Sequence, residues 1–279
     1  MRELFTALSL KRWWIIASIV VCTALAIAYV SVATPVYRAS TILAPAANED
    51  GLNLGSALGQ LGGIAALAGV GGGQGAGTEE ALAVLRSREF TERFLREEAV
   101  LPRLYPKLWD TVKGEWNVPE GQRPTYAKAY RRFHTAIRSV QQDKKTGFTT
   151  LNIDWHDREQ AADWANKLVA RINEEMRRRA MSKAVKSLGF LERELQTTVA
   201  IETRDAISRL MESQIKQRML ANVTEEYAFR VVDRALPADA DEPVRPKKLA
   251  LIAIGFIAGS MLGVALALWR AWRRPSNRR

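Results

Sequence analysis

Two uncharged apolar runs constrain the fold of this 279-residue chain more than any other feature of its sequence. They cover residues 13–33 and 249–269, and neither contains a charged side chain. Each run has 21 residues, which in an α-helix rising about 1.5 Å per residue span the roughly 30 Å hydrocarbon core of a bilayer. Tryptophans flank both runs, and their rings favour the headgroup region. We therefore predict two transmembrane helices, at 13–33 and 249–269.

A cleavable signal peptide is the alternative interpretation of the first run. The segment Ser31-Val32-Ala33 resembles the small-residue site at which signal peptides are cut. The apolar stretch is longer than the roughly 7–15 residues of a signal-peptide core. We therefore expect the first run to be retained as a membrane anchor.

Basic residues outside the two runs predict how the chain is oriented in the membrane. Residues 1–12 carry three basic side chains and one acidic, and residues 270–279 carry five arginines. Basic segments flanking a membrane helix stay in the cytoplasm, so we predict a cytoplasmic N-terminal segment (1–12), a basic cytoplasmic tail (270–279) and an external region (34–248). Three basic residues just before position 249 argue the other way, but long regions are translocated largely regardless of charge.

The external region mixes strand and helix patterns, which predicts an α+β domain between the two membrane helices. Alternating apolar and polar residues indicate strands, and N-cap residues or a proline indicate where helices begin. A long, partly solvated helix is predicted over 185–222, where Gly189 is the residue that most disfavours a helix. The strands are expected at 37–43, 148–155 and 228–235, and the shorter helices after residues 78, 124 and 157.

A glycine-rich segment interrupts this domain at residues 51–77, which hold 11 of the 18 glycines together with small apolar residues. A phosphate-binding loop requires a Gly-Lys-Ser/Thr sequence, and this segment contains none. We therefore predict an apolar loop, close to the bilayer or to a neighbouring subunit, rather than a nucleotide site.

Two further groups of residues are candidates for architectural roles. Gly255, Gly259 and Gly263 recur every four residues in the second apolar run, so they share one helix face that another helix can approach closely. Pro243 and Pro246 precede that run and predict a stiff, extended approach to the membrane.

The sequence gives no sign of a catalytic, cofactor or metal site. The one cysteine lies inside the first apolar run, and the two histidines lack neighbours at metal-ligand spacing. Motifs for a serine nucleophile, a zinc protease and a nucleotide loop are absent. We therefore predict that the protein is not an enzyme. The net charge of +11 could suggest nucleic acid, but much of it lies in the two basic segments, so we expect no nucleic-acid partner.

Several segments, in order along the chain, resemble the polysaccharide co-polymerases, the Wzz-type chain-length determinants of bacterial envelopes. No single segment is specific, but their order and the two terminal spans together are. The matching segments are Pro35-Val36-Tyr37-Arg38-Ala39-Ser40, which resembles the strand after the first span; 62–69, which resembles the glycine-rich loop; Leu85-Arg86-Ser87-Arg88, similar to an "LKSR" helix; Asp157 to Asn166, similar to a D-x-x-x-A-A-x-x-A-N helix start; and Pro243, Pro246 and the glycine-bearing last span.

The resemblance implies an inner-membrane protein whose periplasmic α/β base forms homo-oligomeric rings, with long helices rising away from the membrane. Such proteins set the modal length of O-antigen or a related glycan during lipopolysaccharide or exopolysaccharide biosynthesis. The implied partners are membrane lipid, a separate polysaccharide polymerase and the growing glycan. Exposed charges on the long helix are then candidates for the length-regulating surface, namely Arg193, Arg204 and Lys216.

The alternative function is that of a periplasmic adaptor in a capsule or exopolysaccharide export complex. Such an adaptor would contact an outer-membrane channel rather than tune a polymerase. Loss of all surface glycan in a deletion strain would favour export, whereas altered glycan length would favour co-polymerase action. A glycan-modifying transferase is a third possibility, which turnover by the purified protein alone would support.

Overall fold

A computed structural model of the chain describes residues 12–46 and 76–272. The N-terminal segment before residue 12, nearly all of the glycine-rich segment 51–77 and most of the basic tail lie outside the described residues. Within them, the chain forms two compact units. The first comprises residues 12–38, 155–158 and 238–272, and the second comprises residues 39–46, 76–154 and 159–237.

Eight α-helices and six strands follow one another in the described part of the chain. Two 3-10 turns, Pro106–Leu108 and Glu120–Gln122, and a π-helical turn, Phe133–Ile137, connect some of them. The order is α1 (Arg12–Val32), β1 (Tyr37–Pro45), α2 (Ala76–Arg86), α3 (Arg88–Glu97), α4 (Val100–Leu104), β2 (Trp109–Asp110), β3 (Glu115–Trp116), α5 (Tyr126–Arg132), β4 (Arg138–Gln142), β5 (Thr149–Trp155), α6 (Arg158–Thr197), α7 (Ile201–Val223), β6 (Phe229–Asp233) and α8 (Lys248–Trp272).

The first unit contains the two apolar helices, α1 and α8, packed against each other. Among the described residues, one helix is long and apolar enough to cross a membrane by length and composition, at Lys248–Ala265. The apolar stretch of α1, Ile16–Val32, is shorter than this length criterion requires. Of the two predicted spans, this measure supports the second, whereas in α1 it finds the shorter apolar stretch Ile16–Val32.

The second unit is built on a four-stranded sheet with the strand order β4-β5-β1-β6. Strands β4 and β5 pair antiparallel, and β1 and β6 pair antiparallel with a bulge between Ile42 and Leu43. The three strands expected from sequence alternation correspond to β1, β5 and β6. Strand β4 was not anticipated, because the sequence analysis assigned no element to residues 138–142.

The core of the second unit lies between the sheet and helices α2, α3, α5 and α6. Phe133 has no exposed surface, and its ring lies 5.9 Å from that of Phe94 and 6.1 Å from that of Trp164. Buried aromatic rings at such separations stabilise a core beyond their area alone. Phe133, which follows Pro124 at helical spacing, therefore belongs to the core of this unit.

The predicted long helix 185–222 is wrong as a single element. Helix α6 begins at Arg158, runs for 40 residues and ends at Thr197, and α7 begins at Ile201. The hydroxyls of Thr197 and Thr198 donate hydrogen bonds to the carbonyl of Glu194, at 3.1 and 2.8 Å. Such bonds compete with the backbone ladder, and β-branched residues lose side-chain freedom in a helix. The run Thr197-Thr198-Val199 disfavours a continuous helix for these reasons, and it lies where α6 ends before α7 begins.

Candidate functional site

The glycine face of α8 lies against α1 of the same chain. A Cβ atom built on Gly259 would lie 2.7 Å from the Cα of Ile19, and one built on Gly255 would lie 2.9 Å from the Cβ of Ala26. Both distances are shorter than side chains tolerate, so the two helices approach at a separation that these glycines permit. Gly263 is also buried.

A hydrogen bond crosses the same contact, because the hydroxyl of Ser18 donates to the carbonyl of Gly259 at 2.8 Å. The pairs Ile19 with Gly259 and Ala26 with Gly255 run in opposite directions along the two helices, so α1 and α8 are antiparallel. Gly255 and Gly259 therefore lie where α1 meets α8.

The prolines of the predicted membrane approach lie where the chain enters α8. Val36, just after α1, pairs with Arg245 in an isolated antiparallel bridge. The Val36 amide donates to the Arg245 carbonyl at 2.9 Å, and the Val244 amide donates to the Val36 carbonyl at 2.8 Å. Pro243 and Pro246 flank these residues and cannot donate such bonds themselves. The segments leaving α1 and entering α8 are thus tied together.

The candidate length-regulating residues lie on the surface of α6 and α7. Arg193 is exposed, and its Nε donates to the carbonyl of Gly189 at 3.0 Å. Arg204 and Lys216 are exposed on α7. This helix buries Ile207 and Ala221 and leaves apolar side chains in solvent; Ile201 is 72% exposed and Met219 62%. The structure therefore distributes these three residues along two helices rather than one.

Two asparagines of α6 bind the backbone around β6, at the edge of the sheet. Asn173 is 3% exposed; its Oδ1 accepts from the amides of Ala228 and Phe229, and its Nδ2 donates to the Phe229 carbonyl at 2.8 Å. Asn166 makes the equivalent pair of bonds to Ala235, at 3.1 and 2.9 Å. Seven residues apart, the two amides share a helix face and replace a neighbouring strand.

A groove lies between α6 and the segment 225–234, and we name it the α6–β6 groove. Its volume is about 540 Å³, within the size range of ligand sites. The asparagines Asn166 and Asn173 line it together with apolar Val169, Ala170 and Val231. Its charged residues are the carboxylates Glu174, Glu225 and Glu226 and the guanidinium groups Arg177 and Arg234.

Ionic contacts join α6 to α3 on another part of its surface. Glu98 lies 2.8 Å from the Nζ of Lys167 and 3.1 Å from Arg171. The hydrogen bond from Lys167 is the main influence that lowers the pKa of Glu98, with Arg171 acting in the same direction against the effect of burial. The same contact raises the pKa of Lys167. These ion pairs favour the ionised forms of Glu98 and Lys167. Their residues do not line the α6–β6 groove.

No group of three His, Cys, Asp or Glu side chains able to hold a metal ion occurs among the described residues. The sequence analysis identified Asn166 as part of a helix-start pattern but not its contact with Ala235. The spacing of Asn173 two helical turns later could have indicated a shared face. Glu225 and Arg234 gave no sequence signal, because only the fold brings 225–234 beside α6.

The chain matches two family models. Residues 1–98 match the family described as Wzz, "Chain length determinant protein". Residues 193–272 match the family described as GNVR, "G-rich domain on putative tyrosine kinase". The two matches together cover well over half of the chain. No curated protein sequence matches it.

Solved structures of polysaccharide co-polymerases are similar to this chain at low identity. A full-length bacterial polysaccharide co-polymerase is 14% identical, with a TM-score of 0.43 over 100% of both chains. A fragment of WzzB, a polysaccharide co-polymerase from Salmonella Typhimurium, is 16% identical, with a TM-score of 0.30 over 75% of this chain and 100% of that one.

Proposed function

Because the chain belongs to the Wzz family of chain length determinants, we propose that it regulates the length of O-antigen or a related surface polysaccharide. In this proposal a separate membrane polymerase makes the bonds, and the protein acts as a non-enzymatic scaffold. The match of residues 1–98 to the chain length determinant family carries the proposal.

The scaffold is a two-pass protein of the bacterial inner membrane, with both termini in the cytoplasm and the second unit in the periplasm. The apolar helix α8 and its close packing with α1 support this arrangement. The basic residues of 1–12 and 270–279 support the orientation. Membrane lipid then surrounds the outward faces of both helices.

Repeated copies of one surface suit a scaffold that measures a polymer, so we infer a homo-oligomeric ring. Several apolar side chains of α7 are exposed, and contact with a second copy of the chain would remove them from water. Arg193, Arg204 and Lys216 lie on α6 and α7 and provide positions at which polymerase or glycan can be contacted.

The test is to replace Arg193, Arg204 and Lys216 singly by glutamine and to resolve the surface glycan of each strain on a gel. Each variant should shift the length distribution while total glycan stays within about twofold, whereas loss of a catalytic group reduces a rate by orders of magnitude. Membrane abundance and light scattering of the detergent-extracted protein establish that the variants remain oligomeric.

The matched control is Lys128→Gln, which removes an exposed charge from α5 rather than from the long helices. It should leave the ladder unchanged. One long-helix substitution that abolished all polymer at normal abundance would contradict the scaffold and favour the export adaptor or a hidden enzymatic step. A monomeric wild type would contradict the ring.

A further inference from the structure

The α6–β6 groove presents hydrogen-bonding groups whose capacity the fold does not use. Glu225 and Arg234 are exposed on its walls, and within the described residues neither side chain forms an ion pair. Glu226 uses its Oε1 to accept from the Val231 amide at 3.3 Å, which leaves its second oxygen as a further acceptor. The groove therefore combines charged donors and acceptors with the accessible apolar side chains of Ala170 and Val231.

A β-strand from a partner does not suit this groove, although β6 is an edge strand. Strand addition requires the unpaired amides and carbonyls of the edge. Here Asn173 engages the amide and carbonyl of Phe229, Glu226 engages the Val231 amide, and Asn166 engages both groups of Ala235. The side chains of this chain thus already occupy much of the edge that a strand would use.

A polyanion does not suit the groove either. Its three carboxylates outnumber its two guanidinium groups, and Arg177 is paired with Glu174. Phosphate-binding surfaces instead concentrate Lys and Arg. A neutral, hydroxyl-rich polymer meets the opposite requirements, because hydroxyls both donate to carboxylates and accept from guanidinium groups.

We propose that the α6–β6 groove binds a segment of neutral polysaccharide, with Glu225 and Arg234 hydrogen-bonded to sugar hydroxyls and with Ala170 and Val231 against the C–H faces of the sugar rings. The inference rests on the proposed function, since it takes the growing glycan itself as a direct contact. It places this contact beside β6, apart from the charges of α6 and α7 that were expected from the sequence.

The test uses full-length protein in detergent and the lipid-free polysaccharide released by mild acid from the envelope of the producing bacterium. Isothermal titration calorimetry measures the Kd of this polysaccharide for the wild type and for the double variant Glu225→Gln/Arg234→Gln. Hydrogen bonds to charged groups contribute more to the binding free energy than bonds between neutral groups. We therefore expect the Kd of the double variant to rise by about tenfold or more. Polygalacturonate, a polyanion, should bind the wild type more weakly than the neutral polysaccharide.

The matched control is Glu120→Gln/Arg123→Gln, which removes one acid and one base at exposed positions outside the groove and outside α6 and α7. Its Kd should equal that of the wild type, and circular dichroism should give all three proteins the same melting temperature. Absence of wild-type binding, an equal loss in the control, or stronger binding of polygalacturonate would overturn the inference. If the double variant no longer co-purified with the polymerase but bound the glycan as tightly as wild type does, the groove would bind a protein partner. That outcome would also overturn the inference.

A glycan ladder from the same strains separates this inference from the proposed function. If the purified protein bound no glycan but its gene deletion altered chain length, the groove would be wrong and the co-polymerase function would stand. If deletion left chain length unchanged, the proposed function would fail whatever the groove binds.

Discussion

Glu175 is a buried carboxylate that joins α6 to α3 through arginines. Its side chain is 8% exposed, and it lies 2.8 Å from Arg93 and 2.8 Å from Arg179, with Arg178 also in contact. Burial alone would raise the pKa of Glu175, but the hydrogen bond from Arg179 and the charges of Arg178 and Arg93 hold it below its ordinary value. The ionised form is thus favoured in the folded protein.

This lowered pKa predicts a stability contribution that disappears in acid. Since the folded pKa lies below the unfolded one, the contribution is present above roughly pH 4.3 and is lost as the pH falls through the folded pKa. Glu175→Gln should therefore lower the free energy of unfolding by about 2 kcal/mol at pH 7, and the difference from wild type should shrink below about pH 4. Thermal unfolding in detergent across this range measures it.

Glu212→Gln on α7 provides the comparison, because that carboxylate is exposed. It should match the wild type at every pH. A Glu175→Gln protein as stable as wild type at pH 7, or a difference that did not change in acid, would show that the arginines do not stabilise the fold through this carboxylate.

At the scale of single residues, the sequence shows which side chains are charged but only partly which residues they contact. The basic run Arg177-Arg178-Arg179 is visible in the sequence, and parts of these side chains are exposed. Their pairing with Glu174 and Glu175 needed only a three- or four-residue spacing on one helix. The approach of Arg93 could not be inferred, because it depends on how α3 packs on α6.

The contact between α1 and α8 is the element-scale feature with the tightest geometry. A side chain at Gly259 would meet the backbone of Ile19 and Ser18, at 2.7 and 3.0 Å from the new Cβ. Backbone atoms cannot rotate away as a flexible side chain can, so the helices themselves must separate. Overpacking of this kind destabilises a contact by about 1–3 kcal/mol.

Gly259→Leu should therefore separate α1 from α8 and expose Cys22, whose Cβ would lie 3.1 Å from a Cβ at position 259. Cys22 is the one cysteine of the chain, so its alkylation by N-ethylmaleimide in detergent reports this contact directly. We expect the labelling rate to rise by about tenfold. Ala258→Leu adds the same bulk at an exposed neighbouring position and should leave the rate unchanged; equal rates in both variants would contradict the packing.

The elements themselves were predictable where their periodicity is local. Alternation identified β1, β5 and β6, and uncharged length identified α1 and α8. Strand β4 was missed because Arg138 in it is buried, which breaks the apolar pattern. Its guanidinium instead donates to the Leu85 carbonyl at 2.6 Å and to the Thr91 hydroxyl at 2.9 Å. These contacts come from α2 and α3 and are invisible to a local pattern.

At the scale of the whole molecule, the family assignment and the charge distribution constrain different properties. The matches at residues 1–98 and 193–272 identify the family but not the orientation of the chain in the membrane. Orientation depends on the basic residues next to each apolar helix, namely three within residues 1–12 and five within 270–279. The orientation therefore stays a prediction from the sequence, whereas the α6–β6 groove could be found only from the fold.

This charge distribution predicts that both ends of the chain are cytoplasmic and that α1 is retained. Green fluorescent protein fused at either end should fluoresce, because it folds in the cytoplasm. Alkaline phosphatase should be active when inserted at the exposed Lys113-Gly114 turn and inactive at both ends. Replacing the five arginines of 270–279 by glutamine should increase phosphatase activity at the C-terminal end, because basic residues next to a membrane helix hold that side in the cytoplasm. An active phosphatase at the C-terminus of the unaltered chain would contradict the topology, and a mature N-terminus at Thr34 would contradict the retained anchor.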